Sequence, residues 1–388
     1  MAPPGGLAAT EPVDLSKKEL ERYSRQLVLP EVGVEGQRRL KSSKALVVGV
    51  GGLGIPASTY LAAAGVGMIG IVDQDVVEVS NIHRQPLYSE GDTGRRKVDV
   101  ARERLRETNP NVVVEAYPTR LDRTNAMELV RGYDVVLDCT DNFPTRYLVN
   151  DACVMAVRPD VYASVFRFDG QSSVFAAKAG PCYRCLFPVP PPPGAVQDCA
   201  ESGVMGVLPG LMGTIQAAQA LNILLGNGRA LVGRLLLFNG SEMTFDEVRV
   251  RKDPGCPVCS PSPRIRELID YDEFCGLGRK GERQEELGPS ELKRLLDSGA
   301  GVVLLDVRQP YERQLCSLPG SKHIPLGELA ARAGELRRED ELVVYCHVGM
   351  RSAAAVSLLK SLGFGKARSL AGGIRAWAEE VDPSIPVY

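Results

Sequence analysis

The sequence carries no surplus of positive charge. Its 388 residues hold 46 Lys or Arg against 48 Asp or Glu, a formal net charge of -2. Nothing is left over to neutralise a phosphate backbone, so nucleic acid is not an expected partner. The opening MAPPGGLAATEP has neither the positive segment nor the apolar stretch of an export signal, which predicts a flexible tail over residues 1–19 and a cytoplasmic protein. No internal repeat links the two halves. The most apolar stretch, Gly203–Gly226, is interrupted by Thr214, Gln216, Gln219 and Asn222, polar groups without compensation in lipid. It reads as a buried helix with Pro209 near its start, and no membrane partner is expected.

What is present suffices for more than one core. With 44% hydrophobic and 24% charged residues, a chain of this length exceeds one typical core and suits two domains. Short β-rich runs at Ala45–Val50, Met68–Asp73, Val112–Tyr117 and Asp134–Cys139 alternate with helix-like stretches such as Gly94–Glu107. That alternation predicts a mainly parallel, doubly wound α/β sheet over residues 20–260. A Ser-Pro-Ser-Pro run and a charged, Gly-containing stretch predict a linker over 261–287. A smaller α/β pattern follows over 288–388, with a helix near Ser290–Leu296, strands at Val302–Asp306 and Leu342–Tyr345, and a helix from about Arg351.

The first strand runs into Gly49, Gly51, Gly52 and Gly54, spaced as G-x-G-x-x-G between a strand and a helix. Glycines let backbone approach phosphate, and the helix start offers unpaired N–H groups to an anion. Asp73 ends the next strand, where it can accept hydrogen bonds from ribose hydroxyls. Alone, these features fit an NAD-dependent oxidoreductase. Asp75, then Asn81, Arg84 and Gln85 in a polar loop and Lys97 beyond it, fit phosphate neutralisation better than hydride transfer. Asp141, after the strand Asp134–Cys139 and beside Asn142, stands at a carboxyl strand end and is a candidate magnesium ligand. Each taken singly has a bland reading as a solvated cation or turn residue; the ordered set is more informative.

Ten cysteines in a chain without an export signal point to metal, thiol catalysis or burial rather than structural disulfides. Cys182 and Cys185, and Cys256 and Cys259, form two C-x-x-C pairs. Together they can close a tetrahedral zinc shell, with reversible disulfides or an isolated redox pair as alternatives. A proline-rich crossing loop separates the pairs and leads to Cys199. Cys346 ends the strand Leu342–Tyr345, in a short loop before Arg351. Backbone N–H groups, the helix dipole and Arg351 would there stabilise a thiolate or persulfide. Cys139, Cys153, Cys275 and Cys316 read as structural or incidental, and His347 receives no role.

Arg22-Tyr-Ser-Arg25-Gln26, the glycine loop, Asp73-Gln-Asp75, Ser80-Asn81-Ile-His-Arg84-Gln85, Lys97 and Cys139-Thr-Asp141-Asn142 occur in that order. Together they resemble the ubiquitin-activating-enzyme-like superfamily, in particular its molybdopterin-synthase and thiamine-biosynthesis adenylyltransferases, over about residues 20–260. Leu305-Asp306-Val307-Arg308, Pro319-Gly320 through Pro325, Cys346 through Ser352 and Gly372-Gly373 through Trp377 are similar to single-domain rhodaneses.

The resemblance implies a Rossmann-like domain in which Asp73 contacts ribose, Arg84 and Lys97 hold ATP phosphates, and Asp141 supports a magnesium-bound reaction. Arg25 matches an arginine that reaches into the partner's site in a homodimer. Cys199 matches a loop cysteine used in sulfur transfer, and Cys346 the thiol that carries sulfane sulfur. The implied activity is ATP-dependent adenylation of the C-terminal glycine carboxylate of a small ubiquitin-like sulfur-carrier protein ending in Gly-Gly. Sulfur from a cysteine desulfurase or thiosulfate then converts it to a thiocarboxylate. A conjugating enzyme that forms a thioester, and a non-catalytic scaffold for carrier and desulfurase, are the rival readings.

Overall fold

The computed structural model describes residues 13–191, 203–276 and 286–388. The chain divides into two compact units, the first running through Phe274 and the second from Cys275 to Tyr388.

The first unit is built on an eight-stranded sheet. Its strands are β1 (Lys44–Val48), β2 (Met68–Val72), β3 (Val113–Tyr117), β4 (Val135–Asp138), β5 (Asp160–Phe166), β6 (Asp169–Phe175), β7 (Arg234–Asn239) and β8 (Thr244–Arg249), in the order β3-β2-β1-β4-β5-β6-β7-β8. Strands β1 to β5 pair in parallel, and β5 to β8 pair antiparallel. The parallel half has the near-continuous apolar runs of strands covered on both faces: Ala45, Leu46 and Val47 of β1 are all fully buried. Strand order reverses between β1 and β4, which opens a crevice beyond their carboxyl ends. The strands expected at Ala45–Val50, Met68–Asp73 and Asp134–Cys139 run one or two residues past their observed ends, because those terminal residues turn into loops that carry the site, whereas the strand expected at Val112–Tyr117 ends at Tyr117 as expected. Likewise the helix expected over Gly94–Glu107 begins only at Lys97 and ends at Thr108.

Helix Val207–Leu225 is long and apolar enough to cross a membrane by length and composition. It buries Leu208, Met212, Gln216, Ala220 and Leu224, a stripe at every fourth residue, against the sheet. The interrupting Gln216 donates to the carbonyls of Asp138 (2.7 Å) and Val161 (2.8 Å), clasping β4 to β5. Within the stretch expected as a linker, Tyr271–Phe274 is helical and the Tyr271 hydroxyl donates to Asp151 Oδ2 at 2.9 Å.

The second unit holds a parallel five-stranded sheet of β9 (Glu286–Leu287), β10 (Val302–Asp306), β11 (Lys322–His323), β12 (Glu341–Tyr345) and β13 (Arg368–Leu370), in the order β11-β10-β12-β13-β9. The two-residue β9 also lies inside the expected linker. Alternate side chains feed separate cores on the two faces. Leu305, Leu342 and Val344 join one, and Leu304, Val343 and Tyr345 the other. Helix Met350–Ser361 packs on β12 and β13 and starts five residues beyond the end of β12.

Candidate active site

The glycine loop turns sharply out of β1. Gly49 takes φ +90°, and a Cβ there would stand 2.9 Å from the Cys139 carbonyl oxygen; one on Gly54 would stand 1.8 Å from the Gly49 carbonyl oxygen. Neither position can carry a side chain without moving backbone. The loop leads into helix Gly54–Ala64, where the Ile55 and Ala57 N–H groups already bond the Gly51 and Leu53 carbonyls and Pro56 has none, so donors to an anion would come from the glycine loop itself.

Asp73 braces this loop from the end of β2. Its Oδ2 accepts from the Val50 N–H and its Oδ1 from the Asp75 N–H, both at 2.9 Å. Burial pushes its carboxyl up, and the nearby Lys97 charge opposes that shift. Lys97 opens helix Lys97–Thr108 and donates to Asp75 Oδ2 at 3.0 Å. Asn81 and Gln85 are buried in the following loop. Gln85 Nε2 would lie 3.5 Å from a Cβ on Gly51, and the Arg84 carbonyl oxygen 3.5 Å from one on Gly52. Gln85 Oε1 is buried with no partner among the described residues, an unmet acceptor beside the loop. The Arg84 guanidinium donates to the Ser80 carbonyl at 2.8 Å. Asp141 and Asn142 are exposed after β4, and Asn142 caps the next helix by accepting from the Thr145 N–H at 3.0 Å. The crevice thus gathers the glycines, Asp73, Asp75, Arg84, Gln85 and Lys97. Arg25 is exposed on the short helix Ser24–Leu27.

The four cysteines of the two C-x-x-C pairs converge. Their Sγ atoms all lie within 4.8 Å of one another. The separations are 3.8 Å for Cys182–Cys185, 3.5 Å for Cys182–Cys256 and 3.4 Å for Cys185–Cys259. Zinc–sulfur bonds of about 2.3 Å imply tetrahedral edges of about 3.8 Å, so the donor set fits zinc in number, type and spacing. Mutual hydrogen bonding pushes the Cys182 thiol up, through Cys185 first, and holds Cys185 down, through Cys182 first. The first knuckle is pinned by Arg184, which grips Asp151 with two 2.8 Å hydrogen bonds in full burial. Its guanidinium lies 4.7 Å from the Tyr147 ring centroid and 4.5 Å from that of Phe274. Such a closed shell stabilises and leaves no open position for chemistry.

In the second unit, Cys346 is fully buried at the end of β12. Its Sγ accepts from the Gly349 N–H at 3.1 Å and lies 3.6 Å from the Ser352 hydroxyl. These donors are suited to a thiolate or a terminal persulfide. Arg351, expected to assist by charge, instead gives two hydrogen bonds (2.7 and 2.8 Å) to the buried carboxylate of Glu312. Its charge is therefore largely offset, and the cradle relies on local dipoles.

Residues 23–258 match the ThiF family. The chain belongs to the ThiF family. Residues 288–380 match the rhodanese-like domain, so this ThiF-family chain carries a second catalytic fold. Its relatives include the adenylyltransferase and sulfurtransferase MOCS3 of Mus musculus, 46% identical over 96% of this chain and 88% of the relative. Another is the probable adenylyltransferase/sulfurtransferase MoeZ of Mycobacterium tuberculosis (strain ATCC 25618 / H37Rv), 44% identical over 96% of each. The crystal structure of E. coli MccB with ATP superposes with a TM-score of 0.56 at 23% identity, covering 63% of this chain and 75% of that one, a likeness of fold.

Several side chains of the two sites of this ThiF-family chain escape a reading of motifs. The buried Tyr88 hydroxyl donates to the Val50 carbonyl at 2.8 Å and reaches the Lys97 carbonyl at 3.4 Å, tying the glycine loop to the lysine. Gln216 accepts from the Cys139 thiol at 3.3 Å, and burial pushes that thiol up, so Cys139 is a floor residue rather than a nucleophile. Glu312 and Ser369, which bind Arg351 and Ser352, come from distant segments. Only the place of Gln216 on the buried face of its helix could have hinted at any of them, since Tyr88 lies in a loop. Cys199 lies outside the described residues.

Proposed function

We infer that this chain is an adenylyltransferase and sulfurtransferase acting on a small ubiquitin-like sulfur-carrier protein. One observation carries the reading: a single chain holds both a glycine-loop crevice with Asp73 and Lys97 and a thiol cradle around Cys346. A carboxylate cannot exchange oxygen for sulfur without a good leaving group, and adenylation supplies one.

In the first stage the carrier's C-terminal glycine carboxylate attacks the α-phosphorus of ATP. The bond to pyrophosphate breaks and an acyl-adenylate forms. The glycine-loop N–H groups, Arg84 and Lys97 would receive the phosphates and Asp73 the ribose hydroxyls, so catalysis rests on positioning and charge neutralisation. Asp141, exposed at the carboxyl end of β4, would hold magnesium, which supplies further neutralisation of phosphate charge. Arg25, exposed near the start of the fold, would complete the site of a second copy in a homodimer.

In the second stage Cys346, loaded by a cysteine desulfurase or thiosulfate, attacks the acyl carbon through its terminal sulfur and expels AMP. Cys199 would then attack the inner sulfur of the acyl persulfide. That breaks the S–S bond, releases the carrier thiocarboxylate and leaves a Cys199–Cys346 disulfide for an external thiol to reduce. Zinc on Cys182, Cys185, Cys256 and Cys259 would stabilise the first unit, and a cytoplasmic setting would keep the thiols reduced.

Mass spectrometry of candidate carriers incubated with enzyme, ATP and a sulfur donor tests this reading. The expected result is an ATP-dependent mass gain matching exchange of oxygen for sulfur. Stable carrier thioesters without thiocarboxylate would favour a conjugating enzyme instead.

A further inference from the structure

Beside Cys346 lies a buried arrangement that no step above uses. His347 is 2% exposed, and neither of its ring nitrogens has a partner among the described residues. Its ring stacks on that of Tyr388, with centroids 4.5 Å and planes 14° apart. The Tyr388 hydroxyl accepts from Arg308 Nη1 at 2.7 Å and donates to Glu312 Oε1 at 3.3 Å. Both partners belong to buried ion pairs: Arg308 with Asp306 at 2.7 Å, and Glu312 with Arg351 at 2.7 Å. One phenol therefore joins two ion pairs and covers the imidazole next to the nucleophile.

We propose that Tyr388 is a positioning residue for sulfur transfer, holding the Cys346 loop in its cradle through His347 and the Glu312–Arg351 pair. The proposal rests on Cys346 being the sulfur carrier. The loop is short, so its ends decide its shape. His347 follows the nucleophile directly, and Arg351 stands between the two donors to Cys346 Sγ, the Gly349 N–H and the Ser352 hydroxyl. Turning Arg351 would shift both donors. The phenol supplies what water would otherwise supply here: an acceptor for Arg308, a donor for Glu312 and a flat apolar cover for His347. Burial pushes the His347 imidazole below its usual range. Of the charges facing it, Glu312 opposes that shift while Arg351, Arg375 and Arg308 reinforce it.

The test uses the full chain with thiosulfate and cyanide. The Cys346 thiolate attacks the outer sulfur of thiosulfate, the S–S bond breaks and sulfite leaves. Cyanide then removes the outer sulfur as thiocyanate and restores the thiolate. Tyr388→Phe keeps the stacking and loses both hydrogen bonds; it should lower kcat for loading by about tenfold, the scale of a displaced catalytic geometry. Tyr388→Ala should lower it further and leave ATP–pyrophosphate exchange unchanged. It should also bring one of the three histidines to titrate near the ordinary value of about 6.5 in an NMR pH series, which lost stability alone would not do. If Tyr388→Ala does not fold, Tyr388→Phe decides alone. Loading within about twofold of the parent in every folded tyrosine variant overturns the proposal, since a displaced geometry costs more. Loading that survives Cys346→Ala overturns the sulfur-carrier reading, and the proposal with it.

Discussion

Lys97 donates to Asp75 across 3.0 Å at the edge of the nucleotide crevice, the lysine side chain 8% exposed and the carboxylate 57%. An ion pair with one exposed partner contributes little to stability, so its value lies in aiming the ammonium along the helix start. Lys97→Met should reduce carrier-dependent ATP–pyrophosphate exchange by about 10²-fold, the scale of one lost electrostatic donor. Asp75→Asn, which frees the lysine without removing it, should cost much less and act mainly on the KM for ATP. Equal losses in the two variants would mean that Asp75 itself meets the nucleotide.

The Cys346 cradle and the glycine crevice should fail separately. Cys346→Ala should abolish thiocarboxylate formation and leave pyrophosphate exchange near normal, because adenylation needs only the first unit. Asp141→Ala should block exchange while Cys346 still accepts sulfane sulfur. Thiocarboxylate made at the normal rate by Cys346→Ala, with a persulfide-donating desulfurase, would remove the rhodanese unit from the mechanism.

Arg184 and Asp151 hold the first cysteine knuckle from behind. Asp151→Ala leaves a fully buried guanidinium without its carboxylate and should cost about 3–5 kcal/mol in denaturant unfolding. Chelation of zinc should lower the melting temperature of the first unit before it alters sulfur loading. Metal analysis that finds no zinc in protein purified without chelator would refute the closed four-cysteine shell.

Asp138 and Asp160 are both buried beneath the loop that carries Asp141. Burial pushes both carboxyls up, Asp138 pushes Asp160 further, and the Arg146 charge opposes both shifts. Asp138 Oδ1 accepts from the Thr140 N–H and hydroxyl, which favours its charged form and leaves the proton on Asp160. A carboxyl raised on folding keeps its proton in the native chain after the unfolded chain has lost it. Its contribution to stability is thus lost as pH rises from the unfolded value, about 3.9, toward the folded one. Asp160→Asn removes this dependence. Over the pH range above about 4 in which Asp160 keeps its native proton, the variant's stability relative to the parent should improve by up to about 1.4 kcal/mol per pH unit. A constant difference across that range would place the proton elsewhere.

Much of the site was legible in the sequence because its chemistry is local. Gly49 to Gly54 form one turn, Asp73 and Asp75 follow directly on one strand, and Cys346 to Ser352 run from one strand end into the next helix. Order along the chain is then nearly order in space. The two C-x-x-C pairs were legible for another reason, since four soft donors in two close pairs have few uses other than a metal. The expected linker was less so: β9 and the helix Tyr271–Phe274 draw their order from Arg368–Leu370, Asp151 and Tyr147, partners far away in the chain.

The sequence by itself determined the two α/β folds, the glycine crevice, the thiol loop and the candidate metal ligands, because each is set by spacing and side-chain type within a short segment. Only the tertiary structure decided which charges remain available. Arg351 is taken up by Glu312, thirty-nine residues away, Lys97 by Asp75 and Arg184 by Asp151. Tyr388, silent as a letter, bridges Arg308 and Glu312 beside the nucleophile. Spacing along a chain says nothing about a buried charge's distant partner, and that partner decides whether the charge is spent on structure or left for chemistry.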